Sequence, residues 1–237
     1  MKLKICEPID ELLDGGVETG TITNFFGEPA SGKTNISLCA AISCAKSDKY
    51  AIFIDTEGGF SSERLKQLTE NAKEISRKII LFEPKTWKEQ CYIINNLEKI
   101  CKKYDVGIII VDSIVALWRI EIGNENIKSH ENISSQMKIN TELASQLAYL
   151  SRISREKNIP VIITNQVYSD FETGKTELSS KNIVKWWSKN LIEILKSGRN
   201  KRIARIERAR SLPENKAVEF EIKENGFKVL RKFWWDK

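Results

Sequence analysis

Histidine is almost missing from this chain of 237 residues, His130 being the single example. A lone imidazole excludes a histidine-rich zinc site and a catalytic triad built around histidine, and its default place is the surface. Cysteine is sparse as well. Cys6, Cys39, Cys44, Cys91 and Cys101 form no Cys-x-x-Cys pair, and their odd number argues against a disulfide framework, so they are expected as reduced core residues. Long apolar stretches are lacking: runs such as Gly107 to Val111 stop far short of the roughly 18 residues a membrane helix needs. Met1 to Gly16 holds no signal-peptide core. The expectation is a soluble, cytoplasmic protein without a membrane partner. There is no strong charge of one sign either. A net charge of +6 permits a polyanionic partner without demonstrating one, so the placement of cations matters more than their total.

What is present is more telling. A hydrophobic content of 41% suffices for a sizeable core, and one domain spanning 1–237 is the expected organisation. Gly27-Glu28-Pro29-Ala30-Ser31-Gly32-Lys33-Thr34 matches the phosphate-loop pattern Gly-x-x-x-x-Gly-Lys-[Ser/Thr], and the apolar run Ile22 to Phe26 leads into it. Glycines let such a loop fold back so that successive N–H groups face one anion, and the helix that follows adds its positive N-terminal end. Lys33 is placed to reach the β- and γ-phosphates of a nucleoside triphosphate. Thr34 is placed to offer its hydroxyl to Mg2+. Residues 27 to 34, with Asn35 in the first turn of the helix, form the candidate nucleotide-binding set.

The rest of the chain alternates strand and helix. Helix is expected over 35–45, strand over 50–55, a polar amphipathic helix over 62–77 and strand over 79–82. Thr86-Trp87-Lys88-Glu89 has capping-box form and opens a helix carrying Ile94, Leu97 and Cys101. Strand over 107–111, a long helix over 132–157 and strand over 159–164 follow. Alternation of this kind predicts an α/β fold with a mostly parallel central sheet flanked by helices. Short alternating strands around 191–196, 202–208, 217–222 and 227–230 predict a C-terminal antiparallel extension.

Two strand ends supply acids. The apolar strand ending in Val111-Asp112-Ser113 places Asp112 beside the loop as a candidate Mg2+ ligand through water, although a plain turn aspartate reads the same way. Asp55-Thr56-Glu57 places Glu57 where ligands gather outside the carboxyl ends of parallel strands, as candidate general base or simple strand-end acid. Asn165-Gln166 offers an amide, Gln166, for the γ-phosphate or its attacking water. Downstream, the polar segment Val167 to Asn190 shows no obvious strand. Lys181, Lys185 and Lys189 recur four apart there beside Trp186 and Trp187, and cations with aromatic faces suit single-stranded nucleic acid. An amphipathic helix with buried tryptophans fits the same pattern. Arg202, Arg205 and Arg208 alternate with Ile203, Ala204 and Ile206 and read as a hairpin with a positive outer face, a second candidate nucleic-acid contact or an ordinary surface strand. Phe233-Trp234-Trp235 fits either core packing or an exposed anchor.

Together, Ile9 to Gly20, the phosphate loop, Asp55 to Phe60, Val111-Asp112-Ser113 and Thr164-Asn165-Gln166 occur in the order found in the RecA/RadA recombinases. The chain resembles that superfamily over nearly its whole length. Trp187-Ser188-Lys189 and Lys201 to Arg205 match its short members, which begin directly at the ATPase core. The resemblance implies a RecA-like phosphate-loop ATPase core, with ATP as the nucleotide, Glu57 as catalytic glutamate, Gln166 as nucleotide-sensing glutamine and Arg64 packed on adenine. It implies a DNA-binding paralogue that assists homologous recombination and DNA repair, working through a main recombinase or junction-processing enzymes. Departures temper this. No N-terminal helical domain and no linker with a Phe-x-x-Ala motif is expected, so a long filament is not expected. Ser61-Ser62 replaces the usual Arg-Pro, and Ser179-Ser180 falls where a Gly pair is usual, which argues against full strand exchange. Without a neighbour to supply a cation, hydrolysis is expected to be slow. A signalling ATPase of the clock-protein or archaellum-accessory type, lacking DNA affinity, is the rival on the same core.

Overall fold

The computed structural model of the chain describes residues 1–128, 133–169, 176–178 and 183–234. Two short strands, β1 (Lys2–Leu3) and β2 (Val17–Glu18), pair across helix α1 (Glu7–Leu12). Then come β3 (Ile22–Gly27), α2 (Lys33–Lys46), β4 (Tyr50–Asp55), α3 (Ser62–Leu68), α4 (Ala72–Arg77) and β5 (Ile79–Phe82). Helices α5 (Trp87–Asn95) and α6 (Leu97–Lys103) lead to β6 (Val106–Asp112), and α7 (Ala116–Lys128) and α8 (Ile133–Lys157) lead to β7 (Val161–Ser169). The chain continues through β8 (Thr176–Leu178), α9 (Ile183–Trp187), β9 (Asn190–Lys196), β10 (Lys201–Arg208), β11 (Lys216–Lys223) and β12 (Gly226–Trp234).

The main sheet runs β12-β11-β10-β9-β3-β7-β6-β4-β5, with β8 paired to β7 off that line. From β9 to β5 neighbouring strands are parallel, and β9 to β12 are joined antiparallel. The reason the inner strands form continuous apolar runs is visible in β6, whose seven residues are all buried. Ile108 and Ile110 enter one core with Phe25, Phe53 and Ile36, while Ile109 and Val111 enter the other with Ile94, Leu143 and Leu147. Side chains alternate between two covered faces, so neither face leaves a polar repeat in the sequence. Helix α2 covers the first face. Helix α8 covers the second with Leu143, Leu147 and Leu150 at helical spacing.

Several expectations are corrected. The helix expected over 62–77 breaks at Thr69, whose backbone is extended (φ −156°, ψ 137°). Thr86 caps α5 by accepting from Glu89 N at 3.2 Å, but Glu89 Oε2 accepts from Lys85 N at 2.7 Å instead of closing the box on the cap residue. That helix also stops at Asn96, and α6 begins after it. Helix α7 was not foreseen, because Glu121, Gly123 and Asn124 interrupt its apolar spacing. Over 167–190 the extended β7 pairs antiparallel with β8, Val167 with Leu178 and Ser169 with Thr176, and α9 follows. All five cysteines are unpaired, but Cys44 alone is fully buried; the other four sit at the core's margin. His130, Lys181, Ser179-Ser180 and Trp235 lie outside the described residues. Among the described residues no helix is long and apolar enough to cross a membrane.

Candidate functional site

The carboxyl ends of β3, β4, β6 and β7 meet around the start of α2. Strand β3 ends at Gly27, the chain turns through residues 28 to 32, and Gly32 caps α2 in a left-handed conformation (φ 105°) that favours glycine. No side chain caps α2 and no acid sits in its first turn, so its N-terminal dipole is left for an anion. Lys33 is buried and donates to Gly27 O at 3.0 Å, Glu28 O at 2.8 Å and Ser31 Oγ at 3.2 Å. Burial pulls its ammonium down to about 8, against the opposing pull of Asp112 and Glu57.

Asp112 is buried at the end of β6, where it accepts hydrogen bonds from the hydroxyls of Thr164 and Thr34. Burial raises its pKa, and those two hydroxyls hold the rise in check. The Asp112-Ser113 peptide is cis. Thr56 ties the ends of β4 and β6 together: its N–H donates to Asp112 O at 2.8 Å, its hydroxyl donates to Ser113 O at 2.7 Å, and Ser113 N donates back to Oγ1 at 2.8 Å. Asp55 is consumed by the turn that carries Glu57. Its Oδ1 accepts from the backbone N–H groups of Glu57, Gly58 and Gly59 at 3.2, 2.9 and 3.0 Å, and its Oδ2 accepts from Phe60 N at 2.7 Å.

Glu57 and Gln166 come together. Gln166 Nε2 donates to both Glu57 carboxylate oxygens at 2.7 and 2.8 Å, and Arg119 Nη2 of α7 lies 4.0 Å from Glu57 Oε1. Glu57 and Gln166 border a cavity of about 440 Å³ that also takes in Lys33, Thr34, Asn35, Arg64 and Asp112. Asn200, Arg202 and Ile222 of the C-terminal hairpins close it from the other direction. Arg64 is fastened across the cavity's edge, with Nε donating to Asn35 Oδ1 at 2.8 Å, Nη1 to Glu224 O at 2.6 Å and Nη2 to Lys223 O at 2.9 Å.

The candidate DNA residues divide differently from expectation. Trp186 is 79% exposed, whereas Trp187 packs against the α5–α8 core. Lys185 pairs with Glu207, and Arg205 pairs with Glu193. Arg208 Nη2 donates to Lys185 O and, at 2.7 Å, to Ser188 O, closing the end of α9. Arg202 is buried and bonded to carbonyls of the phosphate loop. The expected positive outer face of β10 is therefore corrected: Arg202, Arg205 and Arg208 are spent on partners within the chain. An open depression of about 400 Å³ does gather Trp186, Lys189, Arg208 and Arg210. It sits at the opposite sheet edge from the phosphate loop, since Lys189 N bonds Ile22 O at the start of β3.

A sequence profile of the Rad51 family matches residues 4–229. The chain belongs to the Rad51 family. The protein named DNA repair and recombination protein RadB in Methanococcoides burtonii is 43% identical over 225 residues, covering 94% of this chain and 96% of that one. Its namesake in Methanobrevibacter smithii is 39% identical over 225 residues, 92% of each chain. A solved structure described as the RadB recombinase matches with a TM-score of 0.79 at 33% identity, over 97% of this chain and 100% of that one. The mostly parallel sheet with antiparallel C-terminal strands is thus the RecA-like fold of this family.

Within this Rad51-family core, sequence reasoning passed over three residues that shape the cleft. Asp55 had a local signal, an acid three residues before Gly58-Gly59, the composition of a side-chain-capped turn. Arg119 and Asn200 had none, because Arg119 reaches Glu57, and Asn200 the cavity, from segments distant in sequence.

Proposed function

We propose that the chain binds Mg·ATP in the 440 Å³ cavity, hydrolyses it slowly, binds single-stranded DNA and assists homologous recombination and DNA repair beside a main recombinase or junction-processing enzymes. The observation that carries the reading is the convergence of Lys33, Thr34, Asp112, Glu57 and Gln166 on one cavity at the carboxyl edge of parallel strands. Backbone N–H groups of the loop and the α2 terminus receive the phosphates, and Lys33 exchanges loop carbonyls for phosphate oxygens. Thr34 and Asp112 offer the hard oxygen ligands that Mg2+ prefers, and the ion would supply charge neutralisation at the phosphates. Space is kept for it: a Cβ on Gly59 would stand 3.4 Å from Thr34 Oγ1 and 3.9 Å from Asp112 Oδ2.

Glu57 is the base for the attacking water. Its carboxylate is held at both oxygens by Gln166 and neighboured by Arg119, so the Gln166 contact must open before Glu57 can engage a water. That restraint supports slow turnover. A γ-phosphate competing for the Gln166 amide would release Glu57. The names of the relatives support recombination and repair over a signalling ATPase. ATP hydrolysis and single-stranded DNA binding measured side by side, each with and without the other ligand, test the whole reading. Failure to retain Mg·ATP at millimolar concentration rejects it, and ATP turnover without salt-sensitive DNA affinity leaves the signalling reading standing.

A further inference from the structure

Arg202 was expected on a DNA-facing surface, and β10 instead delivers it to the phosphate loop. The residue is only 9% exposed. Its Nε donates to Ser31 O at 3.0 Å and its Nη2 to Ala30 O at 3.1 Å, while Nη1 donates to Gly198 O at 3.2 Å and Lys201 O at 2.8 Å. All four acceptors are neutral backbone carbonyls. Among the described residues Arg202 forms no ion pair, although it borders the same cavity as Lys33, Thr34 and Glu57. Burying a guanidinium among neutral dipoles alone is costly, and the cost falls when an anion shares the cavity.

The two loop contacts also have a geometric effect. In a trans peptide the C=O and N–H point opposite ways. Fixing Ser31 O from outside the loop therefore turns the Gly32 N–H inward, where α2 begins.

We propose that Arg202 is a positioning residue of the nucleotide site: it holds the Ala30 and Ser31 carbonyls from outside the phosphate loop, and the nucleotide's phosphates supply its counter-charge. This rests on the nucleotide reading given above and extends it, because β10 and the loop then respond to nucleotide as one unit.

The test compares the full chain with its Arg202→Gln and Arg202→Lys variants, by thermal melting and by calorimetric titration with Mg·ADP and Mg·ATP. Arg202→Gln is expected to weaken both nucleotides about 10- to 100-fold, the scale of lost charge-assisted hydrogen bonds. Its ligand-free melting temperature is expected to stay level or rise, since an uncompensated buried charge has gone. Arg202→Lys keeps the charge but not the two-pronged grip, so its affinity falls between the others. Wild-type affinity in Arg202→Gln overturns the proposal, and so does a lowered ligand-free melting temperature with an undiminished nucleotide-induced shift. Should Arg202→Gln fail to fold, Arg202→Lys decides: intermediate affinity supports the proposal and wild-type affinity overturns it. If the unaltered chain gives no shift with Mg·ATP, the nucleotide reading itself falls and the proposal with it.

Discussion

Lys33 shows how much one side chain's surroundings decide. Its ammonium is drawn down to about 8 in the fold against an ordinary 10.5, so the unfolded chain binds more protons between those values and ligand-free stability rises with pH across that window. Phosphate binding runs the other way, because it favours the charged lysine. Mg·ATP affinity is expected to hold level up to about pH 8 and then fall by up to about tenfold per pH unit. Titrations at pH 9 in buffers of different ionisation enthalpy should register proton uptake on binding. Glu57 invites a different experiment. Glu57→Gln is expected to keep nucleotide affinity while turnover drops at least about 10²-fold, and equal loss of both would reject Glu57 as base. Residue types at the strand ends were legible: Lys33, Thr34, Glu57, Asp112 and Gln166 each close an apolar run or sit in the loop pattern. The meeting of Glu57 with Arg119 was not, because nothing local in α7 marks a residue that folds back to β4.

Single elements explain where sequence patterns held and where they gave way. The inner strands were readable because burial on both faces demands unbroken apolar runs, and β4 falls on the expected residues. The break at Thr69 and the split at Asn96 were not readable, since amphipathic spacing persists across both while the backbone leaves the helix. In β10, alternation of arginine with apolar residues suggested one wet face, but the phosphate loop meets Arg202 there and takes it inside. The turn after β4 offers its own test. Ala at position 59 would set a Cβ 3.2 Å from Thr34 Cγ2. Overpacking of this kind costs about 1–3 kcal/mol, so Gly59→Ala should weaken magnesium-supported nucleotide binding about 10- to 100-fold with little effect on the magnesium-free interaction. Isothermal titration with and without Mg2+ measures both.

At the scale of the molecule, the nucleotide cavity and the Trp186 depression occupy opposite edges of one sheet. Their charges differ in kind. The cavity mixes Lys33 with carboxylates, whereas the depression presents Lys189 and Arg210 beside an exposed indole, the chemistry that tracks a phosphate backbone and stacks a base. Replacing Lys189 and Arg210 together by Ala should reduce the slope of log affinity against log salt for single-stranded DNA by about 1.4, at about 0.7 per phosphate contact. Trp186→Ala should cost about 1–3 kcal/mol of affinity and leave that slope alone. Fluorescence anisotropy across a salt series checks both, and an unchanged slope in the double variant would make the depression ordinary surface.

Asp55 accepts hydrogen bonds from four amides of its own turn, three on Oδ1 and one on Oδ2. An acid so occupied could turn toward a cation or hydrolytic water only by giving up the amides that shape the turn. On the function proposed above, the three carboxylates hold separate offices, scaffold, ion ligand and proton acceptor, and Asp55 could take up another only by releasing its own turn.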